Sequence, residues 1–160
     1  MFLRIEEIQP KKLIGFSTQT NLTNEAIAAN TIWKQLMPRI KEINNTVSND
    51  LFSVQVYDIK NFENFTSLTD YKKYALVEVS DFNNTPEGFE EFEIPSGKYA
   101  VFLHKGIAAN FTTTAQFIFG KWLPESEYQL DNRPHFSVMG DAYLGHENPD
   151  SEEEIWIPIT

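Results

Sequence analysis

The tripeptide Phe-Ser-Val occurs twice in this chain, in "LFSV" (51–54) and "HFSV" (135–138), more than eighty positions apart. A repeated tripeptide means little alone, but other matches fall in the same order. "IQPKKLIGF" (8–16) and "IPSGKYAVF" (94–102) keep Ile8 with Ile94, Lys12 with Lys98 and Phe16 with Phe102 at one offset. Trp33 and Trp122 then hold comparable places in the two helical stretches that follow. An internal duplication constrains the fold strongly, because each copy must reproduce one supersecondary unit and bury its apolar face against the other.

Each copy reads strand, helix, strand, strand. The first has strands over 8–19, 51–58 and 71–80. Its helix spans 22–45, with Thr23 as a candidate cap and Ile27, Ile32, Leu36, Ile40 and Ile43 at helical spacing. Pro38 inside that pattern predicts a kink or a break before it. The second copy has strands over 92–106, 133–141 and 152–160, and a helix over 110–126 that Pro124 ends. The acidic, turn-rich "DFNNTPEGFEEF" joins them. The expected fold class is therefore α+β: two pseudo-twofold-related strand–helix–strand–strand modules forming one fused antiparallel sheet with helices on one face. The 160 residues make one domain, with module 1 at about 1–80, a linker at about 81–91 and module 2 at about 92–160.

Alternation along the repeated strand divides its side chains between two faces. Phe52, Val54 and Val56 share one face, and Phe136 and Val138 share one; this Phe/Val face is expected to pack under the helices. Ser53, Gln55 and Tyr57, with His135, Ser137 and Met139, lie on the opposite face, which would meet solvent or line a ligand groove.

The charge balance is acidic, with a formal net charge of −10 and a pI near 4.7. Lys and Arg are scattered, so no footprint for nucleic acid is present. An acidic chain suits a cationic ligand or a basic partner, and it also favours solubility. There are no cysteines, which excludes disulfides, thiolate metal sites and cysteine nucleophiles. The three histidines (His104, His135, His146) have no zinc-type spacing, and no Walker, GxSxG or Rossmann pattern occurs. No metal or cofactor is expected. The carboxylates at 87–93 and 147–154 read as solvated surface, whereas Glu78, inside the apolar "YALVEVS", reads as a groove-facing carboxylate or a buried anion. The N-terminus lacks a signal-peptide pattern and no apolar run reaches the roughly 20 residues of a membrane span, so a cytoplasmic location is expected.

Three stretches, "EIPSGKYAVFLHKG", "WLPESEY…RPHF" and "NPDSEEEIWIPI", resemble the GyrI-like small-molecule-binding family. This is the effector-binding domain at the C-terminus of many bacterial AraC-type and MerR-type multidrug-responsive transcription regulators, and it also occurs alone. The resemblance covers essentially the whole chain. It implies a groove at the junction of the modules for amphipathic, often cationic, aromatic compounds. In many members a Glu follows the Phe of a Pro-x-Phe motif as the buried anion, and some stand-alone members use it to hydrolyse cyclopropanoid compounds. Here that position is Ser137, and a hydroxyl neither compensates a buried cation nor acts as a general acid or base near neutral pH. The expected site is thus a binding site without catalytic residues: Phe16, Tyr57, Phe102, Met139 and Trp156 as apolar lining, Ser53, Gln55 and Ser137 as polar groups, and Glu78 as a substitute anion.

The first functional expectation is a stand-alone ligand-binding domain. The alternatives are a protein-interaction role resembling gyrase inhibitors and, third, a hydrolase of small lipophilic adducts. With the chain beginning at its first strand, DNA contact would come from a second polypeptide such as a DNA-binding regulator.

Overall fold

The computed structural model describes residues 1–160, with the side chains of Ile59 and Asn61 left aside. Eight strands form one antiparallel sheet: β1 (Phe2–Ile8), β2 (Lys11–Thr20), β3 (Leu51–Val56), β4 (Tyr71–Val79), β5 (Glu90–Ile94), β6 (Gly97–Lys105), β7 (His135–Met139) and β8 (Glu152–Pro158). Their order across the sheet is β1-β6-β8-β7-β3-β4-β2-β5. Helix α1 (Glu25–Leu36) joins β2 to β3, and α2 (Phe111–Phe117) joins β6 to β7. The expected α+β fold and its pseudo-twofold stand in this order. β1 belongs to the first half but pairs with β6, and β5 belongs to the second half but pairs with β2.

At the centre the two copies of the repeat pair with each other. β3 runs antiparallel to β7 with Phe52 opposite Val138, Ser53 opposite Ser137 and Val54 opposite Phe136. The pseudo-twofold axis passes between the two serines. The duplicated tripeptide is thus the seam of the molecule.

The face assignment is corrected by the registers. Ser53 lies opposite Ala75 of β4, and Ser137 lies opposite Ile155 of β8. Ala75 packs in a cluster with Ile32 and Leu36 of α1, and Ile155 in one with Ile118 at the end of α2. Directly opposed residues of a sheet point to the same side. The helices therefore lie on the serine side. The Phe/Val face instead forms a cluster of strand residues alone, including Ile8, Leu13, Phe52, Leu76, Ile94, Val101, Phe136 and Trp156. Every one of the eight strands contributes to it, the two edge strands included, so the sheet curls until that face closes on itself.

Each half also opens with a strand that the expected order lacked, β1 and β5, the latter beginning inside the expected linker; other local departures are smaller. Helix α1 ends at Leu36 and passes into a 3-10 turn, Met37–Glu42, that carries Pro38 near its start, as a break before that proline requires. The N-cap is Asn24, without a side-chain cap bond, rather than Thr23, which instead reaches the Ser67 carbonyl. Ile27, expected on the apolar stripe, is 70% exposed. After α2 the chain continues as a π-helical turn, Ile118–Trp122, and a last helical turn, Leu123–Glu125. Trp122 stacks on Phe2 of the exchanged strand and lies edge-on to Phe102.

Gly15 in β2 has no room for a side chain. A Cβ there would overlap the Ala75 carbonyl oxygen of the neighbouring strand, a backbone atom that cannot turn away. Gly15→Ala is expected to destabilise the protein by about 3 kcal/mol, the upper range for overpacking a well-ordered site. Urea denaturation should show a lower midpoint with an unchanged slope.

Candidate functional site

The floor of the site is the central strip of the sheet between the two helices. Five of the expected residues meet there. Ser53, Gln55 and Tyr57 come from β3 and its end, and Ser137 and Met139 from β7, all on the helix side by register and alternation. The other four lie elsewhere. Phe16 packs beneath α1 against Phe89, 4.8 Å between ring centroids. Phe102 is fully buried beneath the second helical segment. Trp156 stacks on Phe136 in the closed strand-only cluster, on the far side of the sheet. Glu78 faces that same far side, opposite Leu13, and its carboxylate sits 3.6 Å from the Lys11 ammonium. It does not reach the groove, so it is not the substitute anion. A carboxylate and a lysine near a strand end satisfy each other there.

Two charged residues lie on the helix side near this strip instead: Lys73, which the sequence reading did not single out, and Glu153, which it took as solvated surface. Lys73 of β4 lies opposite Gln55 and is 6% exposed. Its Nζ donates to the Ser53 hydroxyl oxygen at 3.0 Å and to Glu25 Oε1, in the first turn of α1, at 3.3 Å. Gln55 Nε2 donates to the same Ser53 oxygen at 2.9 Å. An ammonium buried to this degree is tolerated because its hydrogens find acceptors, one of them charged.

Glu153 of β8 is the second. It shares the helix side of the sheet with Ile155, and lies opposite His104. Burial pushes its carboxyl up to about 6; the Lys73 charge and the Ser137 hydroxyl pull it down, and Glu25 adds to the rise. Burial outweighs those compensations, so Glu153 is an under-paired anion. The His104 ring beside it is committed elsewhere: its Nδ1 meets the Thr114 hydroxyl at 2.7 Å and its Nε2 the Ile107 carbonyl at 3.1 Å. Since a carbonyl only accepts, Nε2 carries the proton and Nδ1 accepts from Thr114.

Aromatic side chains cluster at the Tyr57 end of this strip. The His135 ring lies within about 6.4 Å, centroid to centroid, of Tyr57, Phe62 and Phe119. Burial drives its pKa down to about 3, so it is a neutral ring in this stack. Tyr57 also contacts Phe65 and Tyr71. Phe62 and Phe65 belong to the β3–β4 connection, which is tied to the start of α1 by the Thr23 amide and hydroxyl on the Ser67 carbonyl. Beside Tyr57, at the strand ends, the surface opens into a hollow of about 430 Å³ bordered by Asp58, Asp70 and Arg133. Among the described residues no group of three or more His, Cys, Asp or Glu is placed to hold a metal ion, and no helix is long and apolar enough to cross a membrane.

Residues 4–159 match the family described as integron-associated effector binding protein, Cass2, and the chain belongs to it. The transcriptional regulator BrlR of Pseudomonas aeruginosa is 33% identical over 85 residues, which is 53% of this chain and 32% of BrlR. The match thus spans about a third of that relative's length. Among solved structures, SAV2435 bound to tetraphenylphosphonium superposes with a TM-score of 0.72 at 11% identity, covering 100% of this chain and 94% of that one. The C-terminal domain of EcmrR superposes with a TM-score of 0.71 at 14% identity, covering 100% and 98%. At these identities the likeness is one of fold. The chain thus belongs to an effector-binding family, and part of it is similar to a transcriptional regulator.

The position of Glu153 gives a signed pH dependence. The folded carboxyl at about 6 stands above its ordinary 4.5, so the folded state holds the proton more tightly than the unfolded state. The contribution is complete below pH 4.5 and is lost as pH rises through 6. It amounts to about 2 kcal/mol. Urea titrations should therefore show Glu153→Gln to be more stable than wild type at pH 8 and about equal to it at pH 4.5. A difference independent of pH would contradict the assignment.

Proposed function

We propose that this chain binds an amphipathic aromatic cation in the groove between its two halves, and that Glu153 is the carboxylate that meets the ligand's charge. The observation that carries this reading is a half-buried carboxylate with a raised pKa on the helix side of the sheet, on the same central strip as an aromatic cluster. Desolvation of that anion is already borne by the free protein. A ligand that brings a positive charge to it recovers the electrostatic energy without a second penalty of the same size. The aromatic end of the groove suits the rest of such a ligand, because ring faces attract cations and rings pack on rings. The tetraphenylphosphonium held by SAV2435 is a compound of this type. The GyrI-like resemblance agrees with the reading, with one change: the anion comes from β8 rather than from the position of Ser137.

On this reading Ser137 keeps a role as a hydroxyl that steadies the Glu153 carboxylate. The regulatory output would come from a DNA-binding protein joined to or associated with this domain. The β3–β4 connection would transmit occupancy, since Phe62 and Phe65 must yield to an aromatic ligand and their segment is bonded to the start of α1.

The test is calorimetric titration with tetraphenylphosphonium and with triphenylphosphine oxide, a neutral compound of related shape. Wild type should bind the cation saturably, more weakly as pH falls below 6, where Glu153 takes up its proton. Glu153→Gln should weaken the cation by about tenfold to a hundredfold, the range for a charge-assisted contact, while leaving the neutral compound unchanged. Equal losses for both compounds, or no cation binding by wild type, would overturn the proposal.

A further inference from the structure

The pseudo-twofold axis relates Lys73 to Glu153. Lys73 lies opposite the residue two places after Ser53, and Glu153 lies two residues before Ile155, which is opposite Ser137. Each charged side chain meets the serine of its own half: Lys73 donates to Ser53, and the Ser137 hydroxyl acts on Glu153. A serine hydroxyl serves both partners because it can accept from the ammonium or donate to the carboxylate. Equivalent positions thus carry opposite charges, and the groove has a donor side on β4 and an acceptor side on β8.

The donor side holds one group without a partner. Tyr71 begins β4, two residues before Lys73, on the same face and with its ring 4.8 Å from Tyr57. It is 4% exposed, and its hydroxyl makes no hydrogen bond of acceptable geometry. Glu25 is near enough to raise its pKa, after burial, by its charge and a weak side-chain contact, but no contact meets hydrogen-bond geometry. A buried hydroxyl left unpaired destabilises a fold until an acceptor arrives.

We propose that the Tyr71 hydroxyl is an orienting donor for the ligand. The groove takes aromatic cations that also carry a hydrogen-bond acceptor, with the positive end at Glu153 and the acceptor at Tyr71. Such a ligand lies in one of the two directions that the pseudo-twofold would otherwise make equivalent. This rests on the cation-binding reading above and adds to it a second recognition element and a polarity.

The experiment uses two matched probes, (4-methoxyphenyl)triphenylphosphonium and (4-ethylphenyl)triphenylphosphonium, which differ only in an ether oxygen replacing a methylene. Their affinities are measured for wild type and Tyr71→Phe, together with the Tm of each free protein. Tyr71→Phe is expected to weaken the methoxy probe by about three- to tenfold, as loss of one hydrogen bond does, and to leave the ethyl probe within about twofold. The free variant should melt no lower than wild type, since it loses only an unpaired hydroxyl. Equal changes for both probes, or a Tm several degrees lower, would overturn the role of Tyr71 while leaving the cation site intact. Failure of wild type to bind either probe would overturn the cation site itself, and this proposal with it.

Discussion

The hydrogen-bonded pairing of β3 with β7 holds the rest of the molecule in place. It is the junction through which four strands on one side and four on the other become one sheet. Its register cannot slip by one residue, because a slip would turn Ser53 toward the closed strand-only core and Phe52 toward the helices. Identical tripeptides meeting head to tail place like opposite like at the axis. The two serines face the helix side from the midpoint of the central strip.

Symmetry of backbone has not kept symmetry of chemistry. Lys73 and Glu153 occupy related places with opposite charge, and their surroundings treat them unequally. The ammonium has a hydroxyl and a carboxylate as acceptors. The carboxylate has a hydroxyl and a lysine already engaged elsewhere. Lys73, Glu25 and Glu153 together leave one excess negative charge. Charges withdrawn from water cost stability that a pair of apolar residues would not.

Much of the fold was legible in the sequence, and the reasons are particular. The Phe-Ser-Val repeat, the constant offset of Ile8, Lys12 and Phe16 to their second-half counterparts, and Pro38 each mark backbone requirements that sequence alone imposes. Alternation correctly separated Ser53 and Ser137 from Phe52 and Phe136. It could not say which side the helices would cover, because both faces of this sheet end up buried and hydrophobicity no longer distinguishes them. Glu153 was hidden within "SEEEIWIPI", where three successive carboxylates look like solvated surface. The signal was its parity with Ile155 and Ile157, which places it on the groove side while Glu154 turns to the far face and binds Arg4. Lys73 in "YKKYALVEVS" is the same case, separated from exposed Lys72 only by parity. Glu78 had the right chemistry and the wrong parity.

The exchange of leading strands has a consequence for how the chain reaches this state. β1 finds its neighbour only in β6, so Phe2 must wait for Phe102, and β2 waits for β5 to complete its outer side. Loop closure over such separations slows folding and leaves strand edges open in the interval. During synthesis, the first half would leave the ribosome with all of its seam and one of its flanks unpaired. The duplication thus makes the two halves interdependent: neither closes its sheet before the other has been translated.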